Sequence, residues 1–573
     1  MALARPNAKI EADPGNAEVG MKIAIRKQVD GRLLGLRVNR YSWWTHWREL
    51  ADYILPRRYK WLITPNMMAR GSPINGHILD STATLAARNL ASGMMSGITS
   101  PTRPWFKLKI GRVDSTQTSP TSIWLSECER LLNLVFAESN FYNSMAVLYL
   151  DLVIFGTGVM LIYEDFDDVI RCYNPCAGEY YLAQSDKFRV NTIYREFTLT
   201  IDQVVKKFGI ENCSQNIKSL YNTGEAALSK EVLIAHAIEP NTDGRKFGVP
   251  ENFKWREVYW EWGQSQQYLL SKRGFIEFPG IAPRWDLVSN DDYGRSPAMD
   301  ALPDVKQLQQ EVKRKAQAID KLVNPPMVAD VQLKNQPASL LPGGVTYVTG
   351  LNNVGFKPVY TVAPPVQEIM EDLNEVRARI KSIFFNDVLQ PISQFETKSN
   401  VSATEMDIRR SEGLVMLGPV LERVYDEGIK PVIERVFAIA SRAGILPPAP
   451  PQIAGQPIQI EFVSMLQTAQ SAAATGGIER LFQFAGGLVG VDPAVMDNLD
   501  IDYGLDKYSS LLNNDPKLIR APAELAQIRA NRQQQQQRQE QINQAEQLAK
   551  GAQTLSQADV GNGKNALQSM MGS

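Results

Sequence analysis

SPAMDALPDVKQLQQEVKRKAQAIDKLVNPP (296–326) and PPVQEIMEDLNEVRARIKSIFFN (364–386) decide the architecture. In the first, Leu302, Val305, Leu308, Val312, Ala316, Ile319 and Val323 recur at threes and fours, which is one apolar helical stripe, and Lys306, Lys313, Arg314 and Lys321 lie off it. In the second, Val366, Ile369, Leu373, Val376, Ile380 and Ile383 have nearly heptad spacing. Its early turns carry Glu368, Glu371, Asp372 and Glu375 and its late turns Arg377, Arg379 and Lys381, as the helix dipole favours. Between the two, MVADVQL, the turn Pro342-Gly343-Gly344 and VTYV read as β structure. Two helices of about 22 residues, each roughly 33 Å long, thus flank a small β unit, as in a rod or the stem of a ring.

Upstream, Trp43, Trp47, Leu50 and Ile54 form an aromatic helical stripe that ends at Pro56. Asp80 or Ser81 caps the next helix, in which Ala83, Ala86, Ala87, Ala91 and Gly93 allow close packing. Two further helical patterns separated near Asn140 run from Pro120 to Gly156, strands alternate with turns up to Ile193, and the capping box Thr200-x-x-Gln203 opens IDQVVKKF, closed by Gly209. VYWEW, QYLLS and FIEF within 255–288 read as antiparallel strands, so the first 300 residues form a mixed α+β body.

Downstream, a polar loop (387–401) leads to the capping box Ser402-x-x-Glu405 and a helical pattern to about Arg442, in which Gly413, Gly418-Pro419, Gly428 and Pro431 predict at least one kink. LPPAPPQIAGQP (446–457) is a linker. A strand or extended lead-in and helices follow, then a Gln-rich helix former from Ala523 that is either an oligomer helix or disordered.

Composition excludes several classes. The 573 residues, 44% hydrophobic and 21% charged, suffice for several domains with real cores. The net charge of −1 gives no global attraction for nucleic acid, but residues 1–110 hold 17 Lys and Arg against 7 Asp and Glu, net +10, and the remainder carries −11. That basic segment either binds an acidic partner or is offset within the fold. Four cysteines in so long a chain fit a reducing compartment, and Cys172 and Cys176 lack the further ligands of a zinc site. MAVLYLDLVIFGTGVMLIY (145–163) has the length of a membrane span, but its Gly156-Thr157-Gly158 break predicts a buried helix feeding a buried strand. The N-terminus has no signal-peptide pattern. There is no Walker phosphate loop, no HExxH, no GxSxG and no dinucleotide fingerprint, so no catalytic, cofactor or metal residue is assigned. The carboxylate pair Asp291-Asp292 reads as a solvated turn rather than a glycosidase dyad.

RELADYILPRRYK (48–60), ILDSTATLAARNLASGMMSGITSPTRPWFKL (78–108), DYGRSPAMDALPDVKQLQ (292–309), NPP with LPGGVTYV (324–348) and VSATEMDIRRSEGLVMLGPVLERVYDEGIKPVIERVF (401–437) resemble the head-to-tail connector, or portal, family of short-tailed phages. The resemblance implies an α+β, predominantly helical subunit of wing, stem, clip and crown that forms a ring. Its parts are an N-terminal basic arm (1–34), wing (35–296), first stem helix (297–323), clip (324–364), second stem helix (365–386), tunnel loop (387–401), long kinked wing helix (402–445), linker (446–457), crown (458–530) and Gln-rich C-terminal extension (531–573).

It further implies a homo-dodecamer at one capsid vertex of the virion, assembled in the host cytoplasm without a membrane. The implied partners are major capsid and scaffolding proteins, the terminase large subunit, a tail adaptor and double-stranded DNA. DNA would meet Gln390, Gln394, Glu396, Lys398 and Asn400 of the tunnel loop, held non-specifically. Leu308, Val312, Ile319, Leu373 and Ile380 are the expected stem-packing residues, and Lys306, Lys313, Arg314 and Lys321 its basic face. The rival readings are another neck or tail ring and a virion-associated glycan hydrolase.

Overall fold

The computed structural model describes residues 14–58, 75–110, 120–241, 253–263, 269–323, 327–328, 357–358, 366–386, 418–451, 458–462, 465–488, 499–512, 518–520 and 522–557. They fall into two compact units. One holds residues up to Trp105, Leu131–Leu446 and Phe462–Leu466, and the other Phe106–Arg130, Pro447–Glu461 and the chain from Gln467.

In the first unit, helix α1 (Pro14–Tyr53) runs unbroken through residue 34, so the arm expected to end there is helical from Pro14 onward. Ile25, Val29, Leu33 and Leu36 continue the stripe of Trp47, Leu50 and Ile54 at helical spacing, and all are buried. Helix α2 (Thr82–Ile98) turns Ala83, Ala86, Ala87, Leu90 and Met94 inward. Helices α3 (Pro120–Glu138) and α4 (Phe141–Phe155) part at Asn140, whose side-chain amide pairs with the backbone of Cys172 in both directions, at 2.8 and 2.9 Å.

Gly156 ends α4 in the left-handed region at φ 73°, where a side chain would strike the carbonyl of Gly294. The apolar run 145–163 thus divides into a helix and strand β2 (Met160–Asp165). Its single charge, Asp151, is gripped by both arms of Arg58. Among the described residues no helix is long and apolar enough to cross a membrane.

β2 pairs with β3 (Val169–Tyr173), and all four cysteines are free. A five-stranded antiparallel sheet is formed by β4 (Tyr180–Gln184), β5 (Val190–Thr200), β6 (Glu231–Pro240), β7 (Trp255–Glu261) and β8 (Ser271–Phe275), in that order. Helices α5 (Ile201–Phe208), α6 (Gln215–Tyr221) and α7 (Glu225–Leu228) interrupt the meander between β5 and β6, and the Thr200–Gln203 capping box forms with both of its bonds. The last strand differs from expectation. Leu269 and Leu270 are buried in opposite clusters before the ladder opens at Ser271↔Tyr259. After Phe275 the chain leaves, because β9 (Gly280–Ile281) pairs with β2 in the other sheet.

One face of the large sheet receives α1, with Ile25, Val29, Leu33 and Leu36 against Tyr181, Tyr194, Ala235, Ala237, Val258 and Trp260. The opposite face carries Ile201, Val204, Phe208 and Ile217 against Phe197, Ile234 and Tyr259. On that second face His236 stacks on Tyr259 at 3.9 Å.

Helices α8 (Pro297–Val323) and α9 (Val366–Ile383) follow, and between them β10 (Met327–Val328) pairs antiparallel with β11 (Lys357–Pro358). The expected irregularity in the last long helix takes the form of a π turn, Tyr425–Ile429, between Gly418–Val424 and Lys430–Arg442.

The second unit pairs β1 (Phe106–Ile110) with β12 (Ile458–Phe462) and adds helices Met465–Leu488, Ile501–Leu512 and Pro522–Gln557. Gly504 lets the ring of Phe482 close on the backbone of the second helix, and Arg529 holds Asp502 with two bonds of 2.8 Å. The Gln-rich segment is therefore helical to Gln557.

Arg195 Nε donates to His236 Nδ1 at 2.9 Å, so the ring proton sits on Nε2, 2.9 Å from Glu257 Oε1. Burial above all pushes this imidazole down to about 4, with the Glu257 hydrogen bond opposing and the Arg195 charge assisting. The unfolded ring takes up its proton near pH 6.5, so stability is complete above that value and falls as pH drops toward 4. Urea unfolding followed from pH 7 to 4 should show this decline, and His236→Gln should flatten it.

Candidate functional site

The helix pair α8–α9 is held by a polar staple that the sequence reading missed. Gln309 interrupts the apolar stripe of α8 and is buried. Its Oε1 accepts from the backbone N–H of Leu79 at 2.7 Å and of Asp80 at 2.8 Å, and its Nε2 donates to the Asp80 carbonyl at 2.9 Å. The Asp80 carboxylate accepts from Arg377 of α9 at 3.0 and 2.7 Å on one oxygen, and from the Thr82 N–H and hydroxyl at 2.9 and 2.5 Å on the other. One residue thus opens α2 and fastens both long helices. The only sequence signal was a Gln on an apolar stripe.

Burial works against the Asp80 charge, but the bonds from Thr82 and Arg377 outweigh it and hold the carboxyl below its ordinary range. This stabilisation is complete above that range, near pH 4, and is lost as pH falls through the lower folded value.

α8 and α9 run antiparallel. Arg379 reaches Asp304 at 3.3 Å near one end, and the Lys315 side chain meets that of Met370 farther along. Leu308, Leu373 and Ile380 are fully buried and Val312 is partly buried. Beyond it exposure grows, with Ile319 at 38%, Leu322 at 53% and Val323 at 78%. Of the four basic residues, Lys306 is paired with Glu49 of α1 at 2.8 Å, and Lys313, Arg314 and Lys321 are exposed. Gln390, Gln394, Glu396, Lys398 and Asn400 lie outside the described residues.

Four of the N-terminal cations, all on α1, are met within the fold. Arg26 bonds Asp30 and the Glu261 carbonyl, Arg32 bonds Glu239, Arg37 bonds Glu196, and Arg40 bonds the carbonyls of Ala177, Gly178 and Tyr180. A second buried knot ties the π turn to the five-stranded sheet. Glu427 receives the backbone and guanidinium N–H groups of Arg284 at 2.6–3.1 Å, while Arg284 also bonds Gln184 Oε1 and the carbonyls of Phe188 and Asp291. Asp291 therefore serves as a backbone acceptor in a turn. Among the described residues no cluster of His, Cys, Asp and Glu could hold a metal ion.

Residues 26–519 match the family described as bacteriophage head to tail connecting protein. The chain belongs to this family. It is 40% identical over 544 residues to the probable portal protein of Bordetella phage BPP-1, covering 95% of this chain and 97% of that protein. It is also 40% identical over 530 residues to the portal protein of Salmonella phage epsilon15, covering 92% and 94%. With this membership goes the portal role: a structural component of the virion at the capsid vertex where head and tail join.

The staple can be tested directly. Gln309→Leu strips two N–H groups and a carbonyl of their partner, each worth about 1–3 kcal/mol when left unmade. The variant should lose about 2–4 kcal/mol in chemical denaturation, and Gln309→Glu, which keeps the acceptor but turns a second oxygen on the Asp80 carbonyl and buries a charge beside the Asp80 carboxylate, should lose at least as much.

Proposed function

We propose that the chain assembles as a dodecameric ring whose central channel passes double-stranded DNA during packaging and ejection. In this reading α8 and α9 form the stem, residues 324–364 the clip and residues 387–401 the tunnel loop. The clip docks the terminase large subunit first and the tail adaptor later, and the wing and crown meet capsid and scaffolding proteins. The chain does its work by shape rather than by covalent chemistry.

The observation that carries this reading is the contrast along the helix pair. One end is stapled and buried, and the other leaves Ile319, Leu322 and Val323 exposed on a single copy. Apolar side chains in a row on an exposed helix end mark an interface, and neighbouring stems in a ring would cover them. Lys313, Arg314 and Lys321 stay exposed along the same helix, available to phosphates at the salt-dependent, sequence-independent level that a sliding conduit requires.

Class averages of the purified protein should show rings with a central hole and twelve-fold symmetry, and light scattering a mass near twelve times 64.0 kDa. A stable monomer at all concentrations would sink the reading. Leu322→Asp should abolish rings without shifting the melting temperature of the monomer, because the side chain is half exposed before assembly. Deleting 390–399 should leave rings normal but impair retention or late packaging of DNA, and heads holding full-length genomes as stably as wild type would remove the tunnel-loop role.

A further inference from the structure

Two surface features of the first unit remain without an intramolecular use. The first is the turn of the β2–β3 hairpin. The ladder runs out to Asp165↔Val169, and Asp165 Oδ1 accepts from the N–H groups of Asp167 at 2.8 Å and Asp168 at 3.3 Å. This tight turn holds Val169 at φ 66° and thrusts Phe166 wholly into solvent, farther out than any other large apolar side chain among the described residues. The tip is an aromatic knob ringed by Asp165, Asp167 and Asp168, of which Asp168 is shared with Arg171 at 3.4 Å.

The second feature is the outward stripe of α1. Leu34, Val38 and Tyr41 are exposed at helical spacing, with Lys27 and Arg48 on the same stripe at its two ends. Gly31 and Gly35 leave the surface beside Leu34 and Val38 bare, since a Cβ at either would meet nothing within 4 Å. The carboxylates bordering this stripe are already engaged, Asp30 with Arg26 and Glu49 with Lys306, both at 2.8 Å. The result is a shallow apolar groove beside Gly31 and Gly35 with Lys27 one helical turn away, facing away from the sheet.

The two features lie on opposite sides of the five-stranded sheet. α1 covers the face of Tyr181, Tyr194 and Trp260. The β2–β3 pair packs on the other, where the guanidinium of Arg195 lies over Tyr173 at 4.8 Å and the ring centroids of Tyr163 and Phe275 are 6.3 Å apart. A knob and a complementary groove on opposite sides of one body cannot meet within a single copy. They make a heterologous, head-to-tail contact between copies, the kind that closes into a ring.

We infer that the Phe166 hairpin tip of one copy seats in the Leu34–Val38–Tyr41 groove of the next copy around the ring. The aromatic ring fills the space above Gly31 and Gly35, and the aspartates of the turn face Lys27, one helical turn from Gly31. The contact rests on the ring reading above and adds to it which surfaces join.

The test uses the full chain carrying Cys176→Ser, with Ser42→Cys and Arg171→Cys together, exposed positions beside the groove and the knob that are none of the contact residues, treated with a short bismaleimide. A ladder of cross-linked multimers is expected on a denaturing gel, with none from either single variant or from the Cys176→Ser parent, in which the remaining Cys128, Cys172 and Cys213 are buried. Rings that form but give no ladder overturn the contact alone. Dimers from a single variant mean a two-fold contact and overturn it as well. A wild type that forms no rings overturns the ring reading and this contact together. Independently, Phe166→Ala should raise the protein concentration for half-assembly at least tenfold with an unchanged monomer melting temperature, and unchanged assembly would refute the inference.

Discussion

The carboxylate of Asp80 is the point on which the arrangement of long helices depends. Two antiparallel helices bury only a stripe each, and a stripe alone leaves their rotation and axial slide weakly fixed against the rest of the body. Gln309 and Arg377 remove that freedom, because hydrogen bonds to a backbone segment and to a carboxylate are directional where apolar contact is not. Ser296 adds a bond from its hydroxyl to the Ile154 carbonyl at 2.7 Å, just before α8 begins. The near end of the pair is thus anchored to α2 and α4, and the far end leaves Ile319, Leu322 and Val323 exposed.

The second anchor, Arg284 with Glu427, explains why the last long helix contains a π turn. Gly428, which packs on Pro283, and Pro431, which has no N–H, already weaken regular α-helical bonding there. The wider turn presents Glu427 to a guanidinium that is fully buried and bonded on every side. Buried charge is retained here with its partners complete, which makes either residue costly to remove.

Portal function places opposite demands on charge. In the reading proposed above, a conduit for DNA has to avoid gripping phosphates tightly, whereas a basic N-terminal fifth would attract them. On α1, Arg26, Arg32, Arg37 and Arg40 turn to acids and carbonyls of the sheet, whereas Lys27 and Arg48 stay exposed. On α8, Lys313, Arg314 and Lys321 stay exposed.

Helix periodicity, the Thr200–Gln203 box, the Gly156 break and the helix–β–helix order were legible in the sequence because each depends on residues close along the chain. The family was legible for a related reason, since long ordered motifs survive when local packing is kept. The strand at Ser271, the unbroken α1 and the π turn were not, because each is settled by a partner far away in sequence: β7 and β9, the sheet face, and Arg284. Net charge by segment was read correctly as a number but could not say where the charges point. The sequence by itself determined where the helices with a clear apolar stripe lie, the α8–α9 pair above all, and which side of each is apolar. Only the tertiary structure decided which polar residues are spent inside the fold and which remain for partners, because pairing energy depends on distance and burial that no spacing along the chain contains.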